Sequence, residues 1–156
     1  MNVRIIMGSK SDLEVGKKAV KVLEDLEIPY QMTVSSAHRT PERTKELCQG
    51  ADVFIAIAGL SAALPGVVAA HTVKPVIGVP VSGKMNLDAL LSIAQMPPGI
   101  PVACVGLDRG DNAALLAAEI LAVSDEDLAK RLEDYREKRR QQVISDGEEI
   151  ERTYGD

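Results

Sequence analysis

Val53-Phe54-Ile55-Ala56-Ile57-Ala58 is six apolar residues with no polar alternation. A strand with one wet face alternates apolar and polar side chains, so a run apolar on both faces indicates a parallel strand covered on both sides. The flanking chain supplies the covers. Upstream, Val3-Arg4-Ile5-Ile6-Met7 reads as a strand, Gly8-Ser9-Lys10-Ser11-Asp12 as a turn and helix start, and Val15, Ala19, Val22, Leu23 and Leu26 as the apolar stripe of an amphipathic helix ending before Ile28-Pro29. Tyr30 to Val34 is a second strand and Pro41 to Gln49 a second helix.

Downstream, the loop Gly59-Leu60-Ser61-Ala62-Ala63-Leu64-Pro65-Gly66 passes into a small-residue helix through Val67, Val68, Ala69, Ala70 and His71. Pro75 to Pro80 is the fourth strand, Ser82-Gly83-Lys84-Met85-Asn86 its loop, and Leu87 to Ala94 the next helix. Gln95-Met96-Pro97-Pro98-Gly99-Ile100-Pro101 is too proline-rich for a regular element and reads as an ordered loop. Strand Val102-Ala103-Cys104-Val105 follows, and Asp111 or Asn112 is expected to cap a helix ending near Ala122. Five βα units with short, right-handed crossovers predict an α/β protein with a three-layer doubly wound parallel sheet. The expected strand order is 2-1-3-4-5, as in flavodoxin-like folds. Beyond this core, residues 1–123, the segment 124–156 reads as an extra C-terminal helix with Leu128, Leu132 and Tyr135 on one stripe. Its Lys138-Arg139-Arg140 cluster reads as a solvated helix face.

A length of 156 residues suits one domain. Aromatics are only 3% and Trp is absent, so the core must be built from Val, Ile, Leu and Ala. The net charge of -5 argues against a nucleic-acid partner, which needs a basic face, but not against a small anion held by a few local cations. Cys48 and Cys104 lack CxxC spacing, so neither a disulfide scaffold nor a zinc site is signalled, and both are read as buried thiols of a cytoplasmic protein. The N-terminus enters a strand without a signal-peptide pattern, and no apolar run approaches the roughly 18 residues of a membrane span.

The chemistry concentrates in Val34-Ser35-Ser36-Ala37-His38-Arg39-Thr40-Pro41, in the loop leaving the second strand. Open α/β sheets bind ligands at the carboxyl ends of their strands. Arg39 presents a planar fork suited to phosphate or carboxylate, and histidine is the side chain that moves protons near neutral pH. The first loop, Gly8 to Asp12, offers hydroxyls and free N–H groups at a helix start, a natural anion site, with Asp12 able to accept hydrogen bonds from sugar hydroxyls. The third, Gly59 to Gly66, lets backbone approach a flat ligand. His71 reads as packed or exposed rather than catalytic, while Lys10 and Lys84 are candidate extra cations or plain surface charge.

Met7-Gly8-Ser9-Lys10-Ser11-Asp12, Ser36-Ala37-His38-Arg39-Thr40-Pro41, Leu64-Pro65-Gly66, Gln95 to Val102 and Asn112-Ala113-Ala114-Leu115-Leu116-Ala117 together resemble the PurE family of purine biosynthesis, in register over nearly the whole chain. The resemblance implies carboxylation at C4 of an aminoimidazole ribonucleotide, with CO2 as the transferred group and no metal or other cofactor. It also implies a homo-oligomer, an octamer, of flavodoxin-like subunits. His38 corresponds to the general acid/base, and Ser9, Asp12 and Arg39 to ribonucleotide-binding positions. Gly8, Ser11, Ser36, Gly59 and Ser61 complete the expected substrate-binding set. Arg39-Thr40-Pro41 and the Gln95–Val102 loop resemble the mutase form, which moves the carboxylate of N5-carboxyaminoimidazole ribonucleotide to C4. Gly59 to Leu64, with Ala63 where mutases usually carry a second His, resembles instead the carboxylase form, which adds CO2 directly to aminoimidazole ribonucleotide. The count of motifs favours the mutase. Two further readings stay open: a PurE-like carboxylase of a pyridine mononucleotide, and a non-enzymatic flavodoxin-like module, which would bind flavin.

Overall fold

The computed structural model describes residues 1–84 and 86–155; Met85 of the expected Ser82–Asn86 loop and Asp156 lie outside the described residues. β1 (Val3–Met7), β2 (Tyr30–Val34), β3 (Val53–Ala58), β4 (Val76–Pro80) and β5 (Ala103–Cys104) form one sheet in the order β2-β1-β3-β4-β5, every pair parallel. This is the doubly wound order expected from the sequence. All six residues of β3 are buried, because it sits at the centre of the sheet with helices on both faces.

Alternate strand residues feed two cores, as the period of a strand requires. On one face Val3, Ile5, Met7, Ile55, Ile57, Ile77 and Val79 pack under α1 (Leu13–Asp25), α5 (Gly110–Ala122) and the start of α6 (Glu126–Tyr154). On the other, Ile6, Phe54, Ala56, Ala58 and Val76 pack under α2 (Pro41–Leu47), α3 (Leu64–Ala70) and α4 (Asn86–Ala94). With Phe54 the only phenylalanine, small side chains set the layer spacing. The contact of α5 with α1 is the tightest case: Ala113, Ala114, Ala117 and Ala118 are fully buried, and a Cβ added to Gly110 would lie 2.1 Å from the Val15 carbonyl oxygen.

That contact also corrects the expected helix cap. Neither Asp111 nor Asn112 caps α5; the helix begins at Gly110, with Arg109 at the capping position and no side-chain bond there. Asp111 instead lies in the first turn, 2.8 Å from the Arg109 guanidinium. Glycine at the closest approach lets the helix start one residue early. β5 is also shorter than expected, since Val102 and Val105 fall outside it and only Ala103 and Cys104 pair with β4. Pro101 has no N–H to donate, and Gly106 follows in a turn, so this edge strand has little length left. Cys48 is buried as expected, but Cys104, on that edge, is only half-buried. α2 ends at Leu47, short of Gln49, and α3 ends before His71.

α6 is capped by Asp125, whose carboxylate accepts from the Leu128 amide at 2.9 Å. Leu128 and Leu132 bury its first turns, and Arg136 pairs with Glu119 of α5. The whole helix, 29 residues, is about 43 Å long at 1.5 Å per residue, and beyond those turns it carries Lys138, Arg139 and Arg140 into solvent as expected.

Candidate active site

Four strand-end loops meet over the sheet in a cleft of about 890 Å³. The strands place them: β1 lies between β2 and β3, so the loops after these three strands share one edge, and β4 adds its own beside β3. α1 and α3 leave that edge towards opposite faces of the sheet, which opens the crevice typical of a topological switch point.

The β1 loop wraps around Asp12. The Ser9 amide donates to Asp12 Oδ2 at 3.1 Å, the Ser11 hydroxyl to Oδ1 at 3.1 Å, and the Ser11 amide to Ser9 Oγ at 3.3 Å. Asp12 is buried to 6% exposure, and that burial pushes its carboxyl up, opposed by the Ser11 hydroxyl and the Ser9 amide. Each carboxylate oxygen has two lone pairs, so one on each remains for a ligand donor. The Gly8 amide donates to the Ile57 carbonyl at 2.9 Å and locks this loop to β3.

The β2 loop carries His38 and Arg39 into the cleft lining beside the β1 loop. Arg39 joins the two loops: its Nε donates to Ser36 Oγ at 3.3 Å and an Nη to the Gly8 carbonyl at 3.3 Å. Of its five N–H donors three remain, enough for a bidentate contact with an anion. His38 is exposed, and among the described residues its imidazole makes no hydrogen bond.

The β3 loop turns through Leu60, Ser61 and Ala62 at φ of 23°, 53° and 41°, a left-handed run that non-glycine residues rarely adopt. Strained backbone of this kind persists where the surroundings enforce it, and it gathers at functional sites. Here it buries Ala62, aims Ala63 and Leu64 at the cleft and turns Ser61 outward. The structure therefore brings Gly8, Ser9, Ser11, Asp12, Ser36, His38, Arg39 and Gly59 together and leaves Ser61 outside the lining. Ala58, Ala63, Leu64 and Val81 make an apolar wall, and Leu60 stands 84% exposed at the rim.

Of the β4 loop the sequence offered only Lys84, as a candidate extra cation or plain surface charge; the loop itself was not among those expected at the site. Val81, Ser82, Gly83 and Lys84 line the cleft because Pro80 pairs with Ala58 and the Val81 amide donates to the Ala58 carbonyl at 3.1 Å. Its anchor is Asp108, in left-handed backbone at φ 57°, whose Oδ1 accepts from the Ser82 amide at 2.8 Å. Burial pushes the Asp108 carboxyl up, but Ser82 and the Lys18 ammonium together hold it below the usual value. Lys84 thus reaches the cleft, Lys10 does not, and His71 lies at the other end of the sheet beside Cys48 and Lys74. Among the described residues no group of three His, Cys, Asp or Glu side chains comes together in metal-binding fashion.

Relatives match this chain over nearly its whole length. The N5-carboxyaminoimidazole ribonucleotide mutase of Methanocaldococcus jannaschii is 57% identical over 153 residues, covering 96% of this chain and 98% of that protein. The Bacillus subtilis protein of the same name is 47% identical over 157 residues, covering 95% and 97%. The crystal structure of Treponema denticola PurE superposes with a TM-score of 0.85 at 31% identity, over 99% of both chains. With residues 2–142 also matching the model of the family described as AIR carboxylase, the chain belongs to the AIR carboxylase family.

Proposed function

We propose that the protein is an N5-carboxyaminoimidazole ribonucleotide mutase of purine biosynthesis, an isomerase that produces 4-carboxy-5-aminoimidazole ribonucleotide. The observation that carries this reading is the single cleft in which His38 and Arg39 share walls with the Ser9–Asp12 loop and with apolar Ala58, Ala63, Leu64 and Val81. The names of the relatives point the same way.

In this reading Arg39, Ser36 and the amides of the β1 loop hold the phosphate, and Asp12 accepts hydrogen bonds from the ribose. The aminoimidazole then lies between His38 and the apolar wall. As the N–C bond to the carboxylate breaks, protonated His38 gives its proton to the departing nitrogen and CO2 is released. The electron pair of C4 attacks the CO2 carbon, which leaves a tetrahedral C4 bearing both hydrogen and carboxylate. His38 removes that hydrogen as a proton, and the C–H pair restores the aromatic ring. One base gives and regains one proton, so no net proton is consumed. Neutral CO2 is retained against alkyl side chains, where bicarbonate would be an unpaired charge, and its proximity to C4 supplies much of the rate.

Direct carboxylation of aminoimidazole ribonucleotide by CO2 is a second reading, favoured by Ala63 in place of a second His. The family reading further supports a cytoplasmic homo-oligomer, an octamer. No helix among the described residues is long and apolar enough to cross a membrane. The exposed stripe Val143, Ile150 and Tyr154 on α6, spaced to lie along one side of a helix, supplies an apolar surface for a second copy.

The test compares turnover of N5-carboxyaminoimidazole ribonucleotide alone with that of aminoimidazole ribonucleotide plus CO2. Efficient turnover of only the second pair would reverse the assignment. His38→Asn should lower turnover by roughly 10²–10⁴-fold with substrate affinity nearly kept, and Arg39→Ala should chiefly raise KM. Near-normal turnover in His38→Asn would remove the proton-transfer role.

A further inference from the structure

Behind the His38 loop runs a line of hydroxyls with no part in the chemistry above. Ser35 is 2% exposed and Thr44 is fully buried. Ser35 Oγ lies 2.8 Å from Thr44 Oγ1 and 3.1 Å from Thr40 Oγ1. The Ser36 amide donates to Thr40 Oγ1 at 2.9 Å, and the Thr44 hydroxyl donates to the Thr40 carbonyl at 3.2 Å. The Thr40 hydroxyl has a second acceptor within reach, the Ser36 carbonyl at 3.2 Å. With Thr44 O–H given to the Thr40 carbonyl, Ser35 O–H serves Thr44 Oγ1, and Thr40 Oγ1, which accepts from the Ser36 amide, links Ser36 to Ser35. Hydrogen bonds joined in this way strengthen one another.

The two ends of this chain are rigid. The Ser35 amide donates to the Met7 carbonyl at 2.9 Å, which extends the β1–β2 ladder, and Thr44 sits within α2, its amide bonded to the Thr40 carbonyl at 3.0 Å. The hydroxyls therefore tie the sheet and α2 to both ends of a loop in which only Ala37, His38 and Arg39 lie between the clamped residues. His38 has no side-chain partner among the described residues, so the loop backbone alone directs its imidazole. A buried hydroxyl costs desolvation unless it is bonded, and an apolar residue would fill the Thr44 site without that cost.

We infer that Thr44, through Ser35 and Thr40, is a positioning residue that sets where the His38 imidazole stands for proton transfer. The inference rests on the reading of His38 as the acid/base. The variants Thr44→Val, which keeps shape and removes the hydroxyl, Thr44→Ser, which restores it, and Ser35→Ala test it by steady-state kinetics on N5-carboxyaminoimidazole ribonucleotide. Amide hydrogen exchange across residues 36–40 adds a readout independent of activity. Thr44→Val should lower kcat about tenfold with KM within about twofold, since misplacing a catalytic group costs rate more than binding. It should also speed loop exchange. Thr44→Ser should recover kcat to within about twofold of the parent. Ser35→Ala should reproduce the loss, and it carries the test if Thr44→Val does not fold. An unchanged kcat in Thr44→Val, or a Thr44→Ser no better than Thr44→Val, overturns the inference. A parent enzyme inactive on this substrate, with the exchange pattern as described, would instead overturn the mutase reading and leave the loop-clamping role standing.

Discussion

Gly110→Ala tests how the α1–α5 contact holds both the core and the substrate loop. An added Cβ would lie 2.1 Å from the Val15 carbonyl oxygen, 3.1 Å from its carbon and 3.4 Å from the Ala19 nitrogen. To reach even 3.0 Å the two helices must part by about 0.9 Å, and the obstacle is backbone, which cannot swing aside as a side chain does. Overpacking a close-packed core costs about 1–3 kcal/mol, and rigid backbone puts this site at the upper end, about 3 kcal/mol. For a chain of this size that lowers Tm by roughly 6–12 °C. Val15 lies in the first turn of α1, three residues beyond Asp12, so the separation also disturbs the Ser9–Asp12 loop and should raise KM. Thermal unfolding by circular dichroism at fixed protein concentration measures the shift. A Gly110→Ala protein melting within about 2 °C of the parent would refute the packing argument.

Asp12→Asn should raise Tm at pH 7 while weakening substrate binding. The folded carboxyl titrates above its usual 3.8, so its contribution to stability is greatest below that value and is lost as pH rises through the folded one; the variant's advantage should vanish in acid. Unfolding curves at pH 7 and pH 3 check this, and a loss of stability at pH 7 would contradict it. Asp108→Asn should do the reverse, because its carboxyl is held below 3.8: stability present at neutral pH is lost as pH falls through the folded value, and the variant should show less acid dependence. Asn tolerates the left-handed backbone there, so a difference from the parent at pH 7 reports the charge at Ser82 and Lys18. Truncation after Arg140 should keep the Leu128 and Leu132 contacts and a folded core but reduce the mass seen by light scattering. Truncation after Ala122 should cost solubility as well, by uncovering the apolar surface that those two leucines bury.

Local pattern carried much of this protein. The two-sided apolar run of β3, the stripe Val15–Leu26 and the punctuating Gly and Pro residues determined a parallel α/β sheet and the positions of its loops, because strand and helix periods act over a few residues. His38, Arg39 and Asp12 were legible for the same reason: each lies in a loop after a recognisable strand. Tertiary structure alone decided the remainder. Ser61 leaves the cleft because three successive left-handed residues rotate it outward, and no composition rule signals such a turn in Leu-Ser-Ala. Val81, Ser82 and Gly83 enter it, and Lys84 is a cleft cation where Lys10 is not, because β4 pairs with β3, a contact between segments distant along the chain. Helix α5 starts at Gly110 rather than at a polar cap because Val15 approaches too closely for any side chain. The hydroxyl line from Ser35 to Thr44 exists only once β2 and α2 are packed, since a buried hydrogen bond depends on where two elements meet and not on either sequence alone.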